Sequence, residues 1–272
     1  MPAHQHQNRR FFDANELIDL AVISTAALTG LLGAVVGTSF ISGVLSLAGG
    51  TILMGIFNWV MPVSVAMVLH GVTQMSSNGS RCIIYRKHIH WPILRGYLFG
   101  AAMCIAIFSW ILFVPSKTVV FLLLGAMPFV NYLIPKRFAL DITKPGMPTL
   151  CGFTVTACTF LAGVSGTILD VFYFKSPLTR YQIHATKGFT QTLGHIAKIV
   201  YYLLVLDLVQ DTAIPFPLWV FAAVIPLAFV GNWFAKHVVQ VLQDHHFRSL
   251  TQYATMAIGV VFLIRGLTLI GQ

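Results

Sequence analysis

Carboxylates are nearly missing from this chain. Eight acidic residues stand against seventeen Lys and Arg in 272 residues, and none lies between Asp19 and Asp141. A cation route through a membrane is normally lined by buried acids, so their scarcity argues against a cation as cargo. Charge of either sign is also scarce, at 9% of residues, where soluble domains carry roughly a quarter. With 57% apolar residues and a mean hydropathy of +0.80, the chain reads as an integral membrane protein. HExxH, GxSxG and paired catalytic carboxylates are absent, which leaves an intramembrane enzyme without its usual chemistry. Cys82, Cys104, Cys151 and Cys158 form no CxxC and have no His at a finger spacing, so they read as small packing residues. Neither His4 with His6 nor His245-His246 beside Asp244 completes a four-ligand set, and no metal or other cofactor is expected. The net charge of +9 would suggest nucleic acid in a soluble protein. Here the cations gather in short loops, as orientation signals do, and nucleic acid is not an expected partner.

What is present is one polar stripe, written twice. His70-Gly71-Val72-Thr73-Gln74 continues to Asn78-Gly79-Ser80-Arg81, and Lys187-Gly188-Phe189-Thr190-Gln191 continues to Gly194-His195-Ile196-Ala197-Lys198. Both follow the frame basic-Gly-x-Thr-Gln and close on Arg or Lys. At about 100° per residue, positions 1, 5, 8, 9 and 12 fall on one helix face. One face then carries His70, Gln74, Ser77, Asn78 and Arg81, and the other Lys187, Gln191, Gly194, His195 and Lys198.

The rest of the chain repeats with it. Residues 1–16 are a polar tail, read as cytoplasmic, because the apolar stretch that follows is too long for a signal peptide. The first repeat covers 17–133: an apolar run from Leu17 to about Ala48, a glycine break at Gly49-Gly50, a half-helix from Ile52 to Met61 too short to cross, the stripe helix Val63 to Tyr85, and spans over Ile93–Val114 and Thr118–Leu133. Residues 134–148, with three prolines and Lys136, Arg137, Asp141 and Lys144, form the linker. The second repeat covers 149–272. Ser165-Gly166-Thr167-Ile168-Leu169 answers Gly49-Gly50-Thr51-Ile52-Leu53, Pro177 answers Pro62, and the second stripe helix runs from about Tyr181 to Leu206. Spans from Phe216 to about Ala235 and Tyr253 to Ile270 follow, separated by a loop with His245, His246 and Arg248.

The expected fold is an all-α polytopic bundle of about eight transmembrane helices, seven to nine, in two homologous repeats, each with a glycine-broken re-entrant half-helix. Counted for eight spans, Lys and Arg favour cytoplasmic termini by a small margin, with Lys175 and Arg180 opposite Arg86 and Lys144. An even number of spans per repeat gives parallel copies and an odd number inverted ones.

Half-helix starts offer free N–H groups to an anion. Gln74 and Gln191 would orient it, while Arg81, Lys187 and Lys198 would attract it. The expected binding set is Gly49, Gly50, His70, Gln74, Asn78, Arg81, Ser165, Gly166, Lys187, Gln191, His195 and Lys198, with His184 and Asp170 as groups for a coupling proton. Asp170 stands where the first repeat has Met54.

Over Leu17 to Ile270, the Gly-Gly and Ser-Gly breaks, the doubled Gly-x-Thr-Gln and the strings around it resemble the TauE/SafE family of sulfite exporters, also called toluene-sulfonate uptake permeases. In that family the glycine-rich break is fuller than Ala48-Gly49-Gly50 or Val164-Ser165-Gly166. The resemblance implies a permease for sulfite, sulfonates or related anions in a bacterial inner membrane. Its partners would be a small anionic substrate and the lipid bilayer, with a homodimer allowed. An anion channel, or a cation or metal transporter using the intramembrane histidines, is the alternative reading.

Overall fold

The computed structural model describes residues 24–45, 48–133, 140–208, 216–239 and 244–270. Those residues form ten α-helices and no strand. Five belong to the first half of the chain: α1 (Thr25–Leu45), α2 (Ala48–Val60), α3 (Val63–Tyr85), α4 (Trp91–Ile111) and α5 (Lys117–Leu133). Five more follow, again with the second the shortest and the third the longest: α6 (Met147–Ala162), the short α7 (Gly166–Tyr173), α8 (Arg180–Leu208), α9 (Trp219–Val239) and α10 (Asp244–Thr268). Two stretches, Thr25–Ser42 and Trp91–Ile111, are long and apolar enough to cross a bilayer unaided, and shorter apolar helices lie in α2, α5, α6, α9 and α10. The stripe helices α3 and α8 are long but polar.

Each short helix is the return arm of a hairpin. In the first, a Cβ on Gly49 would lie 2.1 Å from Thr38 O and 2.5 Å from Ser42 Cβ, so α2 folds back along α1. In the second, Gly163 at φ 77° ends α6, its N–H donating to Thr159 O at 3.0 Å. That left-handed geometry suits glycine. The arm α7 then runs back beside α6, where Cys151 and Val155 pack with Leu169, Phe172 and Tyr173. Ile142 N–H donates to Phe172 O at 2.8 Å, and Lys175 N–H to Leu140 O at 3.3 Å. The second hairpin therefore leaves on the face where it entered.

The long helices pair across the two halves. The stripe helices are antiparallel: Gly71 abuts Ile199 and Lys198, Gly79 faces Thr192, and Gly188 meets Asn78 and Cys82. Helices α5 and α10 are antiparallel too, with Gly125 against Gly259 and Leu263, and Gly266 against Leu122. Helix α1 packs on α9 through Gly231, and α4 on α6 through Gly100 and Gly152. Small residues on these seams let backbones approach where lipid offers no hydrophobic drive.

The polarity runs inward. Trp110, Ile84, Leu218 and Phe99 are exposed, while His70, Thr73, Asn78, Thr190 and Lys198 are buried. Soluble proteins show the reverse, and the pattern fits an apolar solvent. At the face holding the start of α3, Asn58 Nδ2 donates to Lys117 O at 3.4 Å and the Arg265 guanidinium lies 4.9 Å over the Trp59 ring. At the other face, Tyr85 stacks with His184 and lies tilted against Tyr181, and His90 N–H donates to Thr186 Oγ1 at 3.0 Å. Beyond the membrane helices, Thr143 donates to Asp141 through both hydroxyl and N–H, which holds that carboxyl below its ordinary range.

Several boundaries differ from expectation. Gly49 and Gly50 lie inside the first turn of α2, not in the break, because Gly49 serves close approach rather than a turn. His245, His246 and Arg248 belong to α10, which begins at Asp244 instead of near Tyr253. Arg86, Lys144, Lys175 and Arg180 occupy one face, since the ring stacks and the 140–175 backbone bonds join their loops there. The eight-span count had separated them. The 1–16 tail and the linker residues 134–139 lie outside the described residues.

Candidate functional site

A cavity of about 200 Å³ sits between the stripe helices and the two hairpins. Its wall is contributed in pairs. The starts of the return arms supply Gly50 and Thr51 from α2, and Ser165, Gly166 and Thr167 from α7 with the turn before it. The stripes supply His70, Gln74 and Asn78 from α3 and Lys187, Gln191 and His195 from α8. Each glutamine stands over the glycine of its own half. A Cβ on Gly50 would lie 3.4 Å from the Gln74 amide, and one on Gly166 would lie 3.5 Å from Gln191 Nε2. The amides thus reach the first turn of each return arm, where helix N–H groups lack intrahelical partners.

Behind the cavity a chain of hydrogen bonds joins the two hairpins. His70 Nε2 is 2.9 Å from Gly50 O, His70 Nδ1 is 3.0 Å from Lys198 Nζ, and Lys198 Nζ donates to Gly163 O at 2.9 Å. A carbonyl can only accept, so Nε2 carries the ring hydrogen and Nδ1 accepts from the lysine. His70 is neutral in this arrangement, with both nitrogens used. The His195 ring meets it edge to face at 5.7 Å. His195 is 5% exposed, and its Nδ1 has no partner among the described residues.

The second half carries the charge. Lys187 of α8 forms an ion pair with Asp170 of α7, their side chains 19% and 27% exposed. His184 is exposed, whereas His70 and Lys198 are fully buried. The cavity therefore opens toward the face of Tyr85 and Tyr181 and closes toward the start of α3.

The structure gathers Gly50, His70, Gln74, Asn78, Ser165, Gly166, Lys187, Gln191, His195, His184 and Asp170 around this one space. Two expected members stand elsewhere. Gly49 packs against the α1 backbone. Lys198 lies behind the wall, engaged by two neutral acceptors instead of an incoming anion, because the antiparallel crossing carries its amine to His70. The Arg81 side chain lies outside the described residues. Lys187, expected to attract the anion, is held by Asp170. Ser77 faces away as well, accepting from Asn232 Nδ2 at 3.0 Å.

Sequence reasoning missed Ser42, Thr51, Thr167 and Gly188 in the wall. The two threonines stood in the duplicated Gly-Thr-Ile-Leu string and could have been found there. Ser42 lies in an apolar run with nothing to mark it. Among the described residues no three His, Cys, Asp or Glu side chains are placed to hold a metal ion.

Compared with known proteins, residues 20–262 match the family model described as sulfite exporter TauE/SafE, a span that takes in both hairpins and both stripe helices. No curated protein and no solved structure matches the chain.

Proposed function

We propose that this chain, which belongs to the sulfite exporter TauE/SafE family of membrane permeases, moves a small sulfur-containing anion through the cavity between its hairpins by alternating access. The observation that carries the reading is the paired placement of Gln74 beside Gly50 and of Gln191 beside Gly166, over the starts of two return arms. Sulfite and sulfonates are compact oxyanions with several acceptor oxygens. Backbone N–H groups and amides can replace their water without adding fixed charge, which keeps binding reversible.

In this reading the halves, 17–133 and 149–272, are inverted repeats. Each would hold one re-entrant hairpin and three crossings, and an odd number of crossings turns the second copy over. The antiparallel pairs α3 with α8 and α5 with α10 support it, as they match an element with its own counterpart. Arg86, Lys87, Lys144, Lys175 and Arg180 then lie at the face where the cavity opens, against Lys117 and Arg265 at the other. The excess supports a reading in which the open face meets the cytoplasm of a bacterial inner membrane. That assignment puts the start of α1 on the opposite side, against the cytoplasmic N-terminus expected from sequence; residues 1–23 lie outside the described residues.

The antiparallel copies also provide a means of alternation, because exchanging the conformations of the two hairpins would close one face and open the other. A metal carrier built on the histidines fits less well, since His70 spends both ring nitrogens on Lys198 and Gly50. In liposomes containing the purified protein, Gln74→Ala combined with Gln191→Ala is expected to abolish labelled sulfite uptake with unchanged yield and thermal midpoint. Full uptake by that double variant removes the proposed site. Saturable exchange in the unmodified protein supports a carrier, and rapid ungated conductance a channel.

A further inference from the structure

We infer that Asp170 sets the valence of the anion that the cavity accepts, admitting monoanions and turning away dianions. The inference rests on the anion-permease reading above and goes beyond it by naming the charge of the cargo. Asp170 supplies the one carboxylate among the described residues lining the cavity. It is bound to Lys187, so an anion that approaches this amine must share it with a negative charge already in place. The other described groups facing the cavity are His184, His195 and His70, amides and hydroxyls, with Lys198 behind the wall and held by His70 and Gly163. His70 is neutral through its two bonds.

The Lys187–Asp170 pair is neutral as a whole and offers a dianion little more net attraction than a monoanion, while stripping the water from two charges costs several times what one charge costs. Two further observations set Asp170 apart from ordinary scaffolding. At the matching place in α2 stands Met54, fully buried, and that hairpin closes without a carboxylate. His195 lines the same cavity, and its Nδ1 is buried without a partner among the described residues. A monoanion with both acceptor oxygens and a hydroxyl, such as hydrogensulfite, can meet it in either tautomer.

The test uses two tetrahedral sulfur anions of similar size: methanesulfonate, a monoanion, and sulfate, a dianion at neutral pH. Their binding to the full-length protein is read by thermal shift in detergent and by inhibition of labelled sulfite uptake in liposomes. The expected result is at least about tenfold preference for methanesulfonate in the unmodified protein. Asp170→Asn should bring the ratio toward unity by tightening sulfate, while Asp170→Glu should keep the preference. A mere positioning role for Asp170 would weaken both anions together. Sulfate bound as well as methanesulfonate by the unmodified protein, or an unchanged ratio in Asp170→Asn, overturns the inference; should that variant fail to fold, the unmodified ratio decides alone. Neither anion binding at all would instead overturn the permease reading.

Discussion

The two hairpins do the same thing with different residues. In the first, Gly49 lets α2 lie against the α1 backbone, and no side chain there could be larger than hydrogen. In the second, the matching residue is Ser165, whose hydroxyl is bonded to that of Thr159 at 2.7 Å. The first closes by contact, the second by a hydrogen bond, and the second therefore has room for a polar group at its tip. The same division runs along the stripes. His70, Gln74 and Asn78 are buried and uncharged, whereas Lys187 and Asp170 are charged and reach the open end of the cavity. Residues alike in both halves, Gly50 with Gly166, Thr51 with Thr167 and Gln74 with Gln191, all line the cavity. Those that differ make one end closed and the other wet. Two hairpins with a common backbone plan can line one cavity with like residues and still differ in what stands at each end.

That comparison can be broken most severely at the hairpin tips. Gly49→Ala forces a methyl to 2.1 Å from a backbone oxygen, and a cost above about 4 kcal/mol is expected, enough to remove the monodisperse peak in size-exclusion chromatography. Ser165→Ala loses one hydrogen bond, about 1 kcal/mol, and should lower the thermal midpoint by about 2–4 °C. Similar losses at the two tips would show that contact and hydrogen bond are not the distinction drawn here.

A middle-sized effect separates the two lysines of α8. Lys198→Met leaves His70 Nδ1 and Gly163 O buried and unpaired, a cost of about 2–5 kcal/mol, visible as a fall of roughly 5–15 °C in the melting temperature. Lys187→Met breaks a partly exposed pair and should change stability by no more than about 1 kcal/mol, yet it should cost most of the sulfite uptake. If both variants melt alike, the division between a bracing and an attracting lysine is wrong.

The smallest effects sharpen the shared floor. Gly50→Ala and Gly166→Ala add a methyl at ordinary contact distance from Gln74 and Gln191. Each should leave the melting temperature within about 2 °C and reduce uptake to a similar degree. Uptake that falls at one position alone would argue against a substrate lying between the two glutamines.

Much of this was legible before any coordinates. The stripe helix at 63–85, the doubled order of elements and most of the cavity wall follow from helical periodicity and from one string recurring at matching intervals. Periodicity reports which residues share a face, not what that face meets. It put Lys198 in line with Gln191, but its partner was fixed by the antiparallel crossing with α3, a contact 128 residues away in the chain. The Lys187–Asp170 pair was hidden for the same reason, since it depends on α7 folding back on α6. Glycines were legible as special and misleading as to why: Gly49 looked like a chain break and is a point of contact, while the second reversal turns on Gly163, just before the expected break at Val164-Ser165-Gly166.

The relay from Gly50 through His70 and Lys198 to Gly163 has a mechanical meaning. It is a rivet through the seam, fixing the tip of one hairpin to the tip of the other with three short, directional links. Neither arm can tilt by more than a fraction of a bond length without dragging or shearing it. By reciprocity, whatever loosens the grip at one tip is felt at the other with equal force, so a chain with two separable hairpins is obliged to move them in concert.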